Sequence, residues 1–352
     1  MSDKQEIYED KNEYLRVYFK TTGQYSNYHY FWLRHNCACC AHETTRERIL
    51  CPSKVPLDIR PREILVQENK GIRLIWEDGH VSDFALDWLL EHAYALDESV
   101  TDIQAQNLAH IAVQYDDCKD DFVAICDRYL NEKGAVLVRG CTLDVDALVA
   151  YLTDEVFVLR DSHFGYIEDL RTDNTTNKNT DQLGYTNAAV NLHTDQPFIE
   201  HPPRFQLLLC VQTADEGGEN MLADALQAAH YLRDLDRVAF EALTEIPVVF
   251  HRNQKNFECK TRYPVLSFDA DQFRQIRSSY FTLAPQTSSF GQMTQWYRAY
   301  QLFTKIIEDP AHQFRVLLQP QDFVLYDNYR MLHGRTTFSG GRWMKGIYFD
   351  YQ

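Results

Sequence analysis

The sequence predicts a mainly β fold with flanking helices, in which a double-sheet jelly roll follows a small N-terminal α+β module. Three observations favour it: many short segments rich in β-forming residues, a few helical segments that would cover the sheets, and 20 Phe and 21 Tyr residues. The length of 352 residues fits one large and one smaller domain, since domains run to roughly 150 residues. An apolar content of 45% suffices for a packed core.

The N-terminal module is predicted from short strands and one helix. Strands are expected in four segments rich in β-formers, namely 14–19, 29–33, 64–66 and 72–76. The last two should pair across a turn at Asn69-Lys70-Gly71. Ser82 follows another turn and is expected to cap a helix that runs through Leu90.

The larger part of the chain mixes strands with a few helices. Strands are expected at Ala135–Gly140, Phe205–Val211, Ile246–Phe250, Phe323–Tyr326 and Gly346–Phe349. Helices are expected at 120–130, from Thr142 or Asp144 to Leu152, from Asp224 to Leu235, and over 291–308. The stretch 97–117 is an acidic connection. Arg171–Gln182 is an Asn/Thr/Asp-rich loop for which a lid and a plain surface loop are equally open.

The charge and cysteine content restrict the partners and the location. The net charge is 35 − 51 = −16, which argues against nucleic acid and membrane partners because both require clustered Lys and Arg. Met1–Glu6 has no apolar leader, and no apolar run of membrane-spanning length occurs. The nine cysteines are an odd number and six are scattered, so reduced thiols are expected. These features together predict a soluble cytoplasmic protein.

A His-x-Asp motif, His193-Thr194-Asp195, ends an apolar strand. Residues i and i+2 of a strand share a face, so the imidazole and the carboxylate would supply two-thirds of a 2-His-1-carboxylate Fe(II) site. Alone the motif is near chance frequency. His333, in Asp327-Asn328-Tyr329-Arg330-Met331-Leu332-His333-Gly334-Arg335, is the candidate third ligand.

Three protein ligands would leave iron positions for a chelating 2-oxoacid and O2. Arg342 opens the last strand and offers a bidentate fork for the distal carboxylate of 2-oxoglutarate. Taken singly, His333 would be a structural histidine and Arg342 a surface ion pair. The ordered set of motifs favours the oxygenase interpretation.

A second metal site is predicted near the N-terminus. Cys37, Cys39 and His42 lie within six residues, and His80 follows a turn downstream. Four such ligands with no open position are typical of structural Zn²⁺, which would help a small module to fold. Cys40 could replace Cys39 or His42, and the sequence leaves that choice open.

With both sites placed, the chain resembles the γ-butyrobetaine dioxygenase family of Fe(II)- and 2-oxoglutarate-dependent oxygenases, which includes trimethyllysine dioxygenases. The resemblance covers nearly the whole chain. It is carried by these segments: Trp32-Leu33-Arg34-His35-Asn36-Cys37-Ala38-Cys39, Gly79-His80-Val81-Ser82-Asp83-Phe84, His193-Thr194-Asp195, His201-Pro202-Pro203, Asp327 to Arg335, and Arg342 to Tyr348.

The resemblance implies a zinc-binding domain over 1–97, a double-stranded β-helix oxygenase domain over 98–352, and a homodimer. It implies that Cys37, Cys39, His42 and His80 hold zinc, although relatives commonly carry Cys at the position of His42. It assigns His193, Asp195 and His333 to Fe(II), and Arg342 to 2-oxoglutarate. Asn220 falls where relatives carry a small hydroxyl residue that assists this arginine.

The resemblance also implies a substrate site. Relatives hold a trimethylammonium group in an aromatic cage, because ring faces attract cations. The corresponding positions are Phe164, Glu168, Tyr185 and Tyr348, and Glu168 stands where the family has Trp. The expected reaction is hydroxylation of an unactivated C–H bond of γ-butyrobetaine, giving carnitine, or of a less methylated analogue. The alternatives are trimethyllysine or an alkylaminophosphonate as substrate, or a non-catalytic metabolite-binding protein.

Overall fold

The computed structural model describes residues 8–11, 13–19, 21, 24–67, 71–94, 110–154, 156–172, 182–269 and 272–352. The expected loop Arg171–Gln182, the acidic connection 97–117 and the turn Asn69-Lys70-Gly71 lie wholly or partly outside these residues, as does the stretch Met1–Glu6. Within the described residues, no helix is both long and apolar enough to cross a membrane.

The N-terminal part holds two small antiparallel sheets and two short helices. Its elements are β1 (Tyr8–Asp10), β2 (Tyr14–Phe19), β3 (Gln24–His29), α1 (Tyr30–His35), β4 (Pro61–Gln67), β5 (Gly71–Trp76), β6 (Val81–Phe84) and α2 (Leu86–Glu91). One sheet is ordered β1-β2-β3 and the other β4-β5-β6. The predicted strand 14–19 and the paired strands around 64–66 and 72–76 are confirmed.

Two local predictions in this part are wrong. The predicted strand 29–33 is mostly the helix α1, whose six residues are all buried, so packing on every side outweighs the β preference of its aromatic residues. Ser82 is not a helix cap but lies in β6, where its buried hydroxyl accepts a 2.8 Å hydrogen bond from Nε1 of Trp76. The helix α2 begins only after Ala85.

The remaining elements are given in chain order. The first group is β7 (Ala112–Gln114), α3 (Tyr115–Cys118), α4 (Phe122–Lys133), β8 (Ala135–Arg139), α5 (Val145–Thr153), β9 (Phe157–Arg160), β10 (Ile167–Arg171), β11 (Val190–His193) and β12 (Phe205–Gln212). The second is β13 (Glu216–Gly217), β14 (Asn220–Asp224), α6 (Ala225–Leu235), α7 (Arg237–Glu245), β15 (Val248–Gln254), β16 (Phe257–Tyr263), β17 (Leu266–Asp269) and β18 (Gln272–Ile276). The last is α8 (Phe290–Glu308), β19 (Gln313–Val316), β20 (Phe323–Asp327), β21 (Met331–Arg335), β22 (Phe338–Ser339) and β23 (Trp343–Tyr351).

Two of the sheets form the jelly roll. The larger is ordered β10-β23-β12-β20-β8-β7, with β9 also paired to β23, and the smaller is ordered β11-β21-β14-β19. A buried cluster joins Leu208 and Val324 of the larger sheet to Leu222 and Met331 of the smaller one. The predicted mainly β architecture with covering helices is therefore confirmed.

The helix boundaries follow local capping. Asp144 accepts a 2.8 Å hydrogen bond from the backbone N–H of Ala147 at the start of α5, so it, rather than Thr142, is the cap. Asp224 caps α6 as expected. The long helix predicted over 291–308 is α8, which begins at a capping box on Ser289.

Candidate active site

The two histidines predicted to bind iron lie directly opposite each other in the smaller sheet. His193 ends β11 and pairs with His333 on β21, and their ring centroids are 4.2 Å apart. Asp195 lies two residues past the end of β11 rather than on the strand, in a turn where Gln196 adopts a φ of +53°. Its Oδ1 still lies 3.5 Å from Nε2 of His193 and 3.9 Å from Nε2 of His333.

A β-bulge brings these two strands together. Val190 pairs with Arg335 and His193 with His333, so two residues of β11 face Gly334 alone. A Cβ atom on Gly334 would lie 2.7 Å from the carbonyl oxygen of Val190, closer than real Cβ contacts. Bulges re-aim neighbouring side chains, and this one immediately precedes His193.

The surroundings favour the protonation states that bind a metal. Nδ1 of His193 lies 2.8 Å from the carbonyl oxygen of Asn191, and donation there leaves Nε2 with its lone pair. Burial and then the charge of His193 lower the pKa of His333 to about 3, so this ring is neutral. Burial opposes ionisation of Asp195, but the two imidazoles and the Tyr348 hydroxyl outweigh it and hold the pKa of Asp195 below its ordinary value.

The donor set fits an iron ion. The ligating atoms of His193, Asp195 and His333 all lie within 4.8 Å of one another. Two imidazoles and one carboxylate on one side of a metal are the donors of non-haem Fe(II) oxygenases, in which the other positions remain open.

A chain of hydrogen bonds orients the Asp195 carboxylate. Tyr348 donates to Oδ2 of Asp195 at 2.7 Å, Gln206 donates from Nε2 to the Tyr348 hydroxyl at 3.1 Å, and Tyr326 donates to Oε1 of Gln206. Sequence reasoning missed Gln206 and Tyr326. The signal was Gln206 itself, a polar residue inside the otherwise apolar run 205–211 of β12.

Asn328 fixes the turn that carries Asp195. Its amide oxygen accepts the backbone N–H of Asp195 at 2.8 Å, and its Nδ2 donates to the carbonyl oxygens of Asp195 at 3.1 Å and Pro203 at 3.0 Å. Asn328 is 1% exposed. The motif around His333 therefore positions a second iron-ligand candidate as well.

Arg342 and Asn220 lie together in the wall of the same cavity. Nη2 of Arg342 donates to Oδ1 of Asn220 at 3.3 Å. Burial lowers the pKa of Arg342 to about 10, so the guanidinium stays charged at neutral pH. The nearby Arg335 is engaged elsewhere, because its Nη2 donates to the carbonyl oxygens of Thr186 and Ala188.

A cavity lies beside the two histidines. Phe164, Glu168 and Tyr348, three of the four predicted substrate residues, line it. Tyr185 does not line the cavity, but its hydroxyl donates to Oε1 of Glu168 at 2.7 Å. Glu47 and Arg252, two lining residues, were missed because nothing in the local sequence marks them.

Glu168 is a buried acid, only 3% exposed. Its two hydrogen bonds from described residues are both accepted by Oε1, from the Tyr185 hydroxyl and from Nε2 of Gln182. Burial raises the pKa of Glu168 to about 8; the bond from Tyr185 opposes the shift and the charge of Asp195 adds to it. The carboxyl group is therefore largely protonated at neutral pH.

The second predicted metal site is also assembled, with one ligand changed. Sulfur and nitrogen atoms of Cys37, Cys39, Cys40 and His80 lie within 4.8 Å of one another. Nε2 of His80 is 3.3 Å from the Sγ atoms of both Cys37 and Cys39, and 3.7 Å from Sγ of Cys40. Hydrogen bonding from Cys40 lowers the pKa of the Cys37 thiol, and a thiolate is the form that binds metal.

His42 lies outside this cluster, and Cys40 occupies the place predicted for it. Residues 38–40 form a 3₁₀ turn that folds Cys40 back toward Cys37, whereas Ala41 already pairs with Arg48. Nδ1 of His42 instead accepts the backbone N–H of Thr45 at 3.3 Å. Three thiols and one imidazole remain a tetrahedral zinc donor set.

Comparison with known proteins matches both parts of the chain. Residues 97–348 match the taurine catabolism dioxygenase TauD, TfdA family, and residues 7–90 match the γ-butyrobetaine hydroxylase-like N-terminal family. The chain is 30% identical over 348 residues to γ-butyrobetaine dioxygenase of Pseudomonas sp. (strain AK-1), covering 93% of this chain and 88% of that protein. It is 26% identical over 340 residues to the mitochondrial trimethyllysine dioxygenase of Homo sapiens, covering 91% and 79%.

A solved structure shows the same fold. Asparagine oxygenase in complex with Fe(II), 2S,3S-3-hydroxyasparagine and succinate aligns with a TM-score of 0.50 at 17% identity, covering 65% of this chain and 79% of that chain. The predicted family resemblance, enzyme class, iron and 2-oxoglutarate are confirmed by these matches. The chain belongs to the taurine catabolism dioxygenase TauD, TfdA family and is a 2-oxoglutarate-dependent dioxygenase.

Proposed function

We propose that the protein hydroxylates an unactivated C–H bond of a small cationic, amino-acid-like substrate. γ-Butyrobetaine, which would give carnitine, is the first candidate. The observation that carries the proposal is the buried acid Glu168 in the same cavity as His193, Asp195 and His333, because a cation bound beside the iron ligands would favour its ionised form. Similarity to a γ-butyrobetaine dioxygenase supports this substrate class.

His193, Asp195 and His333 would hold Fe(II), and Arg342 with Asn220 would bind the distal carboxylate of 2-oxoglutarate. Iron and cosubstrate together supply the oxidising power, drawn from O2, for attack on a C–H bond. The chain's own contribution is positioning. Tyr348 holds Oδ2 of Asp195, so that Oδ1 stays directed at the two histidines.

Phe164, Tyr348 and Glu168 would surround the substrate nitrogen, and Tyr185 would hold Glu168 in place. Aromatic faces attract a cation by roughly 0.5–2 kcal/mol each. Glu168 would add a full negative charge once a bound cation favours its ionised form. This acid replaces the aromatic residue that the family resemblance implies at the position.

A substrate panel tests the proposal. Succinate release would be measured with trimethylated, dimethylated and free amines of matched chain length, including γ-butyrobetaine. We expect at least one amine to drive turnover in the parent and none to do so in His193→Ala. Absence of amine-stimulated succinate release across the panel would contradict the proposal.

A second candidate substrate is an amine that bears N–H groups, such as an alkylaminophosphonate. Both hydrogen bonds that described residues donate to Glu168 fall on Oε1, and among these residues Oε2 is left to accept an N–H, which a quaternary nitrogen lacks. Trimethyllysine is a further candidate, supported by the similarity to trimethyllysine dioxygenases. The same panel separates these candidates, because a preference for the free amine over the trimethylated one would favour the N–H-bearing class.

We propose further that residues 1–97 form a zinc domain and residues 98–352 the oxygenase domain. Cys37, Cys39, Cys40 and His80 would bind structural zinc. The closeness of their donor atoms and the match of residues 7–90 to a separate N-terminal family support this division.

A homodimer is proposed on the resemblance and on exposed apolar side chains. Tyr231 and Leu235 of α6 and Val238 of α7 are 53%, 56% and 60% exposed, and exposed apolar side chains so close in sequence favour an interface. Light scattering of the purified protein should give twice the mass of 41.3 kDa. A monomer mass would contradict this proposal.

A cytoplasmic location is also proposed, because all nine cysteines are free and reduced thiols are typical of that compartment. Cell fractionation would test it. Recovery of the protein with a membrane or secreted fraction would contradict it.

A further inference from the structure

Arg252 is a buried cation in the cavity wall that none of the roles above uses. It lies on β15, where Phe250 and Arg252 alternate with more exposed residues and are 1% and 5% exposed. Its side chain lines the same cavity as His193, Asp195 and Glu168. Burial lowers the pKa of Arg252 to about 9, so it is still positively charged at neutral pH.

One edge of the Arg252 guanidinium has no partner among the residues that the structure describes. Nη1 donates to Oε1 of Glu47, whereas Nε and Nη2 are buried without a hydrogen bond to any described residue. The Nε–H and Nη2–H groups point the same way in the guanidinium plane and form the fork that grips a carboxylate at two points. Buried N–H donors without an acceptor are destabilising, so this edge favours an acceptor that a ligand supplies.

Glu47 does not serve that edge, because its one contact with Arg252 is with Nη1. Oε1 accepts from Arg252 and Oε2 accepts the backbone N–H of Leu183. The residue before Leu183, Gln182, bonds to Glu168. Through Glu47, the N-terminal part of the chain therefore contacts the same cavity wall that carries Glu168.

We propose that the free edge of Arg252 binds the anionic group of the substrate, a carboxylate or a phosphonate, while Glu168 faces the cationic nitrogen. This inference rests on the proposed function and narrows it. The substrate is a zwitterion whose two charged ends are recognised by opposite charges in one cavity. Arg252 is thus a specificity-determining residue, and Glu47 positions it.

The test compares a carboxylate with its neutral amide. Enzyme loaded with Fe(II) and 2-oxoglutarate is titrated without oxygen with γ-butyrobetaine and with its carboxamide, following the iron–cosubstrate charge-transfer band. We expect the parent to bind the carboxylate at least about 10-fold more tightly, a factor equivalent to about 1.4 kcal/mol. In Arg252→Lys, which keeps the charge beside Glu47 but lacks the fork, the preference should fall to near unity through weaker carboxylate binding.

Two further variants control for folding and for loss of arginine in general. Glu47→Gln/Arg252→Met removes both charges together, avoiding an unpaired buried charge, and should also lose the preference. Arg139→Lys is the matched control, because Arg139 pairs with Asp322 at 2.5 Å and is not among the cavity-lining residues. It should keep the parental preference.

The outcomes separate the two proposals. An Arg252→Lys enzyme that retains the parental preference, or that loses carboxylate and amide binding equally, overturns the anion site. Equal affinity of the parent enzyme for γ-butyrobetaine and its carboxamide also overturns the anion site, but it leaves the proposed cationic substrate class standing. A parent whose band responds to neither probe contradicts the proposed substrate, and the anion site fails with it.

Discussion

At the scale of single residues, Glu168 and Tyr348 line the same cavity as the candidate iron ligands but have different partners. Tyr348 donates to Asp195 at 2.7 Å, whereas Glu168 is held by Tyr185 and Gln182. The resemblance placed both residues at the substrate site. It could not give their partners, because these contacts join segments 17 and 153 residues apart in sequence. Side chains so distant in sequence meet only through the completed fold.

Affinity for a quaternary ammonium substrate should increase as pH rises through about 8. The pKa of Glu168 is raised to about 8 by burial, so its carboxyl group is neutral below that pH and charged above it, and a cation prefers the charged form. KM measured against pH checks this, since the charge of the substrate itself does not change. Glu168→Gln should flatten the dependence. A slope that persists unchanged in this variant would exclude Glu168 as its source.

Tyr348→Phe should weaken iron binding by about 10- to 100-fold, the usual effect of losing a hydrogen bond to a metal ligand. The change removes the donor to Oδ2 of Asp195 and keeps the aromatic ring. Iron titration measures the effect. Tyr326→Phe is the control, because Tyr326 reaches Asp195 only through Gln206 and Tyr348, and its effect should be smaller. Equal losses in both variants would argue against a direct role of Tyr348.

At the scale of elements, β21 organises the site because it lies between β11 and β14. His333 faces His193 on one side and Leu222 on the other, and Arg335 pairs with Asn220. The sequence predicted that His333 would join the His-x-Asp motif as the third ligand, but Gly334, expected to form a turn after it, lies within β21. The bulge opposite Gly334 was not predictable, because it depends on the register between two strands 140 residues apart.

Gly334→Ala should separate the two iron-ligand strands. The added Cβ would lie 2.7 Å from the backbone oxygen of Val190, so β11 must shift and His193 must move away from His333. We expect weaker iron binding and lower turnover with zinc content unchanged. Gly341→Ala is the matched control, since its Cβ would meet only the flexible end of Gln212. Parental iron affinity in Gly334→Ala would contradict the account of the bulge.

At the scale of the whole molecule, the N-terminal part shares one hydrophobic cluster with the helices of the oxygenase part. Trp32 and Trp76 belong to the same cluster as Trp296 and Phe303 of α8, and Asn36 donates from Nδ2 to the Tyr297 hydroxyl at 3.3 Å. The sequence predicted two units from composition and motifs. It could not predict their shared core, because the helical periodicity of α8 marks an apolar face without identifying what covers that face.

Variants of Cys40 and His42 test which of these residues completes the proposed zinc site, a choice that the sequence left open. Cys40→Ala should lower bound zinc and the melting temperature, because Cys40 is one of the four clustered donors. His42→Ala should change neither, since Nδ1 of His42 is engaged with the backbone of Thr45. Metal analysis per chain and thermal melting check both variants. A loss of zinc in His42→Ala but not in Cys40→Ala would restore the assignment predicted from the sequence.

The most direct test of the central claim is an anaerobic titration of the protein with Fe(II) and 2-oxoglutarate, compared with His193→Ala. If His193, Asp195 and His333 hold iron and Arg342 anchors the cosubstrate, the parent should develop a weak metal-to-ligand charge-transfer band that saturates at one iron per chain. The variant should develop none while retaining zinc. A band of equal strength in His193→Ala, or no band in the parent, would contradict the account.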